Sequence, residues 1–106
     1  MLQREQVFDL FRRWGYLEAD LDPLGFFKPE PYPELDLGGK DADAARRLYC
    51  GTIGAEFMHL PDPERRQWIE HQLEDTSPTP DRDRILERLV RAEVFEQVLQ
   101  ARYLGT

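Results

Sequence analysis

The sequence predicts a mainly α-helical fold, with four to five short helices and a long proline-rich extended arm at about residues 16–40. Three observations carry this prediction. Apolar residues recur at helical spacing in residues 2–14, pairs of aspartate and proline mark two later helix starts, and four prolines interrupt residues 16–40. A chain of 106 residues suits one domain with a modest core.

The first helix is expected over Leu2–Trp14. Its apolar face consists of Val7, Leu10, Phe11 and Trp14. Gly15 is expected to end it, because glycine tolerates the left-handed conformation that often follows a helix. The arm that follows is rich in apolar residues for a loop: Leu21, Leu24, Phe26, Phe27, Tyr32, Leu35 and Leu37. We therefore expect it to lie over a larger surface, either of this domain or of another body.

The second helix is expected to start at Asp41 or Asp43, through a side-chain cap, and to run to about Tyr49. Its packing side would hold Ala44, Ala45 and Leu48. Two glycines three residues apart, at 51 and 54, favour a turn. The residues near 53–60 could then form either a short strand or a tight helical turn, and the pattern leaves both open.

The third helix should start at Asp62-Pro63-Glu64 and run to about Glu74, with Trp68, Ile69 and Leu73 facing the core. Thr79-Pro80-Asp81 repeats the start signal before the last segment, Pro80–Tyr103. Its two apolar sets point in roughly opposite directions on a helical wheel. We favour a break near residues 91–93, which gives two helices, over one straight helix with opposite apolar faces. The two sets are Ile85, Leu86, Leu89 and Val90, and then Val94, Phe95, Val98 and Leu99.

The composition limits the cellular compartments and the classes of binding partner that fit this chain. The formal net charge is −7, which opposes non-specific binding to nucleic acid or to an anionic membrane. The single cysteine, Cys50, cannot form an intrachain disulfide. Charged residues interrupt the N-terminal segment, so we expect no signal peptide, and no apolar run reaches membrane-spanning length. We expect a cytoplasmic location in a bacterium, or the mitochondrial matrix in a eukaryote.

Few residue patterns suggest chemistry. No phosphate-binding glycine loop and no G-x-S-x-G nucleophile motif is present. Zinc ligation would need Cys50, Glu56, His59 and His71, whose spacing matches no common ligand set. The favoured interpretation is that His71 lies on a solvated helix face and that His59 forms a local hydrogen bond. Glu56 and His59 could form an acid–base pair, but carboxylate–imidazole pairs at this spacing are mostly structural. Contact of this loop with a neighbouring active site is favoured over catalysis within the chain.

Three stretches together resemble one known family. The first is 15–25, Gly-Tyr-Leu-Glu-Ala-Asp-Leu-Asp-Pro-Leu-Gly. The second is 49–59, Tyr-Cys-Gly-Thr-Ile-Gly-Ala-Glu-Phe-Met-His, followed by Glu-Arg-Arg-Gln-Trp-Ile at 64–69. The third runs from Arg84 to Tyr103. In order and spacing they resemble the N-terminal helical region of the thiamine-diphosphate-dependent, decarboxylating component of 2-oxoglutarate dehydrogenase. The related 2-oxoadipate-type enzymes diverge after Tyr-Cys-Gly, which favours the 2-oxoglutarate branch.

The resemblance implies a role within a larger enzyme. That enzyme uses thiamine diphosphate and magnesium to decarboxylate 2-oxoglutarate and passes the succinyl group to the lipoyl arm of a second component. It works as a homodimer. Its cofactor and catalytic motifs have no counterpart here, so we assign no catalytic, cofactor-binding or metal-binding residue and expect the chain alone to be inactive. The loop that could contact the core or the substrate channel comprises Tyr49, Gly51, Gly54, Glu56 and His59.

Two departures from the family pattern bear on the organisation of the chain. First, the sequence stops at Gly105-Thr106, near the position where family members continue into the catalytic core. Second, the region between Pro33 and Tyr49 is shorter here than in many relatives. Residues 1–106 are therefore expected to be a single helical region, a fragment that precedes a missing core. The alternative is a free-standing acidic helical adaptor that binds a protein through the arm. A reading frame that continues past Thr106 into a Gly-Asp-Gly cofactor motif would exclude the adaptor, whereas a stop codon there would remove the main support for the fragment.

Overall fold

The computed structural model describes residues 2–103 and is mainly helical, which confirms the predicted fold class. Its α-helices are α1 (Arg4–Trp14), α2 (Lys40–Tyr49), α3 (Pro63–Glu74) and α4 (Arg82–Tyr103), and 3₁₀ helices cover Gly15–Glu18 and Pro33–Leu35. The strand considered near 53–60 does not form. Those residues make bends and turns, and no strand occurs within 2–103. The predicted junction with a core at Gly105-Thr106 lies outside the described residues.

The chain divides into two compact units, Met1–Asp75 and Thr76–Thr106. The first unit contains α1, α2, α3 and both 3₁₀ helices, and the second contains α4. The hydrophobic core lies in the first unit, where α1 packs on α2 and the second 3₁₀ helix closes one side. Its buried members are Val7, Phe8, Phe11, Leu35, Ala42, Ala45, Tyr49 and Phe57.

The buried face of α1 is rotated slightly from the predicted stripe. Val7 and Phe11 are buried as expected, whereas Leu10 and Trp14 are only partly buried against the core. Phe8 is fully buried instead. The helix therefore presents adjacent positions 7, 8 and 11 to α2, because α2 contributes small alanines that admit large aromatic side chains from the opposite helix.

Gly15 ends α1, but not in the left-handed conformation that the sequence suggested. Its φ is −58° and the chain continues directly into the 3₁₀ helix. The reason for glycine is steric: a Cβ at this position would lie 2.6 Å from the Cβ of Tyr49. The end of α1 therefore crosses the end of α2 so closely that only glycine fits.

The start of α2 differs from the predicted aspartate cap. Gly39, with φ +107°, precedes the helix and no side chain caps it. Asp41 and Asp43 lie in the first turn, where carboxylates still interact favourably with the positive end of the helix dipole. The buried face consists of Ala42, Ala45 and Tyr49, whereas Ala44 and Leu48 are only partly buried.

The predicted start and end of α3 are confirmed, and its predicted core face is wrong in part. The Asp62 carboxylate accepts a hydrogen bond from the N–H of Glu64 at 3.0 Å. Ile69 packs partly against the core, but Trp68 is 65% exposed and Leu73 is also exposed. The side of α3 that meets α1 is largely polar, because its carboxylates bind a buried arginine of α1.

The predicted break in the last segment is wrong, because α4 is one continuous helix of 22 residues. Asp81 begins it by accepting a hydrogen bond from the N–H of Arg84 at 3.2 Å. The residues at 91–93, Arg-Ala-Glu, are good helix formers and include neither glycine nor proline. Arg91 also pairs with Glu87 at 2.9 Å, one turn earlier. Local propensity therefore outweighs the change of apolar face.

Candidate functional site

The loop singled out from the sequence is anchored at one end and open at the other. Tyr49 is buried and its hydroxyl donates a hydrogen bond of 2.6 Å to Oε2 of Glu74. The carbonyl of Gly51 accepts a hydrogen bond of 2.8 Å from the N–H of Asp20. A Cβ at Gly54 would lie 3.3 Å from side-chain atoms of Tyr16 and Leu21. The loop therefore packs against the first residues of the arm.

Glu56 and His59 face outward on either side of a buried anchor. Phe57 is 3% exposed, and its ring stacks on Tyr49 with 6.4 Å between centroids. Glu56 and His59 line one shallow depression together with Arg13, Trp14, Tyr16 and Met58. The structure thus brings the two predicted residues to one surface, which also carries charged and aromatic groups.

The zinc alternative has no geometric basis in the described part of the chain. His59 lines the depression beside Tyr16, whereas His71 lines a different one beside Glu5 and Arg12. Burial, and then the charge of Glu18, raise the pKa of the Cys50 thiol, which disfavours the thiolate that metals bind. Within residues 2–103, no cluster of three or more histidine, cysteine or acidic side chains could hold a metal ion.

A buried charge cluster joins α1, α2 and α3, and the sequence reasoning missed it. Arg12 is 5% exposed. Its Nε and Nη2 donate to the two carboxylate oxygens of Glu74 at 2.7 and 2.9 Å, a bidentate arrangement. Glu70 lies 2.8 Å from Nη2 and Glu5 lies 3.1 Å from Nη1. With the Tyr49 hydroxyl on Glu74, the cluster connects all three helices of the first unit.

The pKa shifts in this cluster follow from burial and from its hydrogen bonds. Burial alone would raise the pKa of Glu74, but the hydrogen bonds from Arg12 and Tyr49, together with the charge of Arg12, lower it. Burial raises the pKa of Glu70, and the charge of Arg12 does not fully offset it. Burial and the hydrogen bond to Glu74 raise the pKa of the Tyr49 hydroxyl. Arg12 and Glu74 therefore form the charged pair at the centre.

One sequence signal could have identified Arg12. It follows Phe8 by four residues, so a charged residue stands on the apolar face of α1. A charge at such a position needs a buried partner. The partners lie on α3, more than 50 residues later, at Glu70 and Glu74. No local spacing connects them to α1, which is why the cluster emerges only from the packing of α3.

Many large apolar side chains of the described residues are exposed to solvent. In the first unit, Leu24, Phe26 and Phe27 are 75%, 79% and 82% exposed, and we call these three residues the apolar tip of the arm. In the second unit, α4 exposes its apolar side chains on both sides: Ile85, Leu86, Leu89, Val90, Val94, Phe95, Val98, Leu99 and Tyr103. Among residues 2–103, no helix combines the length and the apolar character that a membrane span requires.

Comparison with known proteins confirms the predicted resemblance. Three relatives, from Brucella anthropi, Brucella canis and Brucella suis, are named "2-oxoglutarate dehydrogenase E1 component". The first is 37% identical to this chain over 128 residues, and the other two are 36% identical. Each alignment covers 91% of this chain and lies in an N-terminal region of the relative. No protein-family model matches the chain.

The chain spans about 13% of the length of these relatives. The alignment, at 128 residues, is longer than the chain itself, at 106, so the relatives carry residues in this region that the chain lacks. That agrees with the sequence expectation of a shortened segment, and the position of the difference stays a prediction. What these relatives share with the chain is therefore an N-terminal region and not a whole enzyme.

Proposed function

We propose that this chain, which matches an N-terminal region of 2-oxoglutarate dehydrogenase E1 components, packs on the cofactor-binding core of such an enzyme and has no catalytic activity alone. In this proposal residues 1–106 form one helical region that precedes the core. The region acts as a scaffold, and its loop at Tyr49, Gly51, Gly54, Glu56 and His59 helps to wall the substrate channel.

The observation that supports the proposal is the excess of exposed over buried apolar side chains. Among the described residues, 18 large apolar side chains are exposed, whereas nine hydrophobic residues are buried. Single exposed apolar residues are ordinary, but contiguous exposed sets usually mark an interface. The nine exposed apolar residues of α4 form two such sets, one on each side of the helix. A larger neighbour would remove this surface from water.

The cofactor belongs to the core in this proposal. The resemblance implies thiamine diphosphate and magnesium in the whole enzyme, and magnesium requires a set of convergent oxygen ligands. The described residues of this chain do not present a convergent acidic cluster that fits a metal ion. In this proposal the described residues pack on the core and shield it from water.

The remaining assignments are those that the family resemblance implies. We propose that the assembled enzyme acts in the tricarboxylic acid cycle and oxidatively decarboxylates 2-oxoglutarate as a homodimer. In the assembled complex, the lipoyl-bearing second component accepts the succinyl group. The relatives that we compared are bacterial, which supports a cytoplasmic location. No contact with nucleic acid or membrane is expected, because the net charge of −7 disfavours both.

A domain-replacement experiment tests the proposal. The matched 128-residue region of the Brucella anthropi E1 component would be replaced by this chain, and decarboxylation of 2-oxoglutarate would be measured with thiamine diphosphate and magnesium. We expect the chimera to be soluble and active, and the isolated chain to show no turnover. The control chimera carries an unrelated helical domain of similar length. Equal loss of activity in both chimeras, or turnover by the isolated chain, contradicts the proposal.

The adaptor alternative gives a different pattern. The exposed apolar tip of the arm would also suit an adaptor that binds an unrelated protein. An adaptor would not restore the decarboxylation activity of an E1 component from another organism. A chimera as inactive as the control, combined with a stable and cooperatively folded isolated chain, would favour the adaptor.

A further inference from the structure

The apolar tip is carried by a turn that one carboxylate holds together. The Asp22 side chain accepts hydrogen bonds from the N–H of Leu24 at 2.9 Å and from the N–H of Phe27 at 2.8 Å. The backbone carbonyl of Asp22 accepts a hydrogen bond from the N–H of Gly25 at 3.1 Å. Gly25 has φ +72°, a conformation that side chains with a Cβ rarely adopt. Asp22 and Gly25 therefore define the conformation of the tip.

This turn displays its apolar groups outward and favours the ionised form of Asp22. The backbone hydrogen bonds from Phe27 and Leu24 lower the pKa of Asp22, so the carboxylate is ionised when it accepts them. The three tip side chains are at least 75% exposed, so they contribute little to the stability of their own unit. A loop held in one conformation loses less entropy when it binds, which favours a docking role.

The arm is also tied to the first unit on both sides of the tip. Before it, Ala19 is buried and the N–H of Asp20 donates to the loop at Gly51. After it, Tyr32 lies 5.4 Å from the ring of Trp14, and Leu35 is buried in the core. The tip therefore projects from a fixed base, as a docking element requires.

The charges around the tip indicate what covers it. Residues 16–40 contain six acidic residues and two lysines. This excess repels anionic lipid headgroups and complements a protein pocket with a basic rim. The chain spans only about 13% of its relatives, so most of such an enzyme lies outside the matched region, and the proposed function assigns the cofactor-binding part to that remainder. Under the proposed function, that part provides the large surface against which the apolar tip can pack.

We propose that the apolar tip inserts into an apolar pocket with a basic rim on the cofactor-binding part of the E1 component, and that Asp22 is its positioning residue. This inference rests on the proposed function and names the segment that makes the contact. It separates two contributions: Phe26 and Phe27 provide the area that is buried, and Asp22 provides the conformation in which they enter the pocket.

The test uses the chimera described above. The double variant Phe26→Ala/Phe27→Ala should shorten the thermal-inactivation half-life of the chimera at least about tenfold. The same double variant should leave the urea midpoint of the isolated chain unchanged, because both rings are exposed there. Asp22→Ala should shorten the chimera's half-life about threefold or more while the rings remain. Asp20→Ala is the matched control and should change it less than about twofold.

Hydrogen exchange gives a second measurement that does not depend on enzyme activity or on its inactivation. Amides at 24–27 should exchange at least about tenfold more slowly in the chimera than in the isolated chain. Equal exchange, or an unchanged half-life for Phe26→Ala/Phe27→Ala in an active chimera, overturns the inference. Binding of the isolated chain to phosphatidylserine-containing vesicles that is lost in the double variant also overturns it. An inactive unmodified chimera would instead contradict the proposed function. Failure of this inference and failure of the proposed function can therefore be distinguished.

Discussion

Removing the charge of Arg12 should destabilise the first unit strongly. The substitution Arg12→Met keeps an unbranched stem against Phe8 and removes the guanidinium. It leaves Glu74 and Glu70 without their partner, at side-chain exposures of 19% and 25%. Losing one member of a buried pair costs about 3–5 kcal/mol, and the residual exposure of both carboxylates lowers our expectation to about 2–3 kcal/mol. That is a large share of the roughly 4–11 kcal/mol expected for a unit of this size.

The assay is urea unfolding followed by tryptophan fluorescence, because Trp14 is half-buried beside Tyr32. The midpoint should fall while the slope stays constant. A cycle with Glu74→Gln should give a coupling energy of about 1–3 kcal/mol, since Glu74 binds the guanidinium through both oxygens. The control is Arg13→Ala, whose ion pair with Asp9 is 3.8 Å long and exposed.

The control variant should cost less than about 0.5 kcal/mol, because exposed ion pairs contribute little. A loss below about 1 kcal/mol for Arg12→Met, or a coupling energy near zero, would refute the reasoning. Either result would mean that the carboxylates are hydrated as well in the folded unit as in the unfolded chain. The cluster would then be a consequence of packing and would not join the helices.

Other expected outcomes follow from the same unit. Gly15→Ala should cost about 1–3 kcal/mol, since its Cβ would meet that of Tyr49 at 2.6 Å; thermal unfolding measures it, and Gly38→Ala, in open space, should be neutral or slightly stabilising. The pKa of Glu74 is lowered from its usual 4.5, so its stabilisation is complete above that value and is lost as pH falls through the folded pKa. The stability gap between the natural chain and Glu74→Gln should therefore shrink on acidification, and urea midpoints between pH ~7 and ~3 will show whether it does.

The pattern of residues predicted the elements that depend on local physics. The start of α3 followed from Asp62 and Pro63, because a cap and a preset φ act within one turn. The helical identity of α1, α2 and α3 followed from apolar spacing and composition. The unbroken α4 was also a local outcome, and our preference for a break was wrong because it weighed the change of apolar face above helix propensity.

Tertiary packing decided which side chains are buried and why Gly15 is glycine. The sequence alone predicted a mainly helical chain and the family resemblance, whereas the outward placement of Glu56 and His59 around the buried Phe57 came only from the structure. It could not identify the pairing of Arg12 with Glu74, because residues 62 positions apart meet only when α1 and α3 pack. It also could not show that Trp68 and Leu73 face solvent, since helical periodicity specifies a face but not the body against which that face packs. Short-range geometry is encoded in adjacent residues, whereas burial is a property of the whole assembled surface.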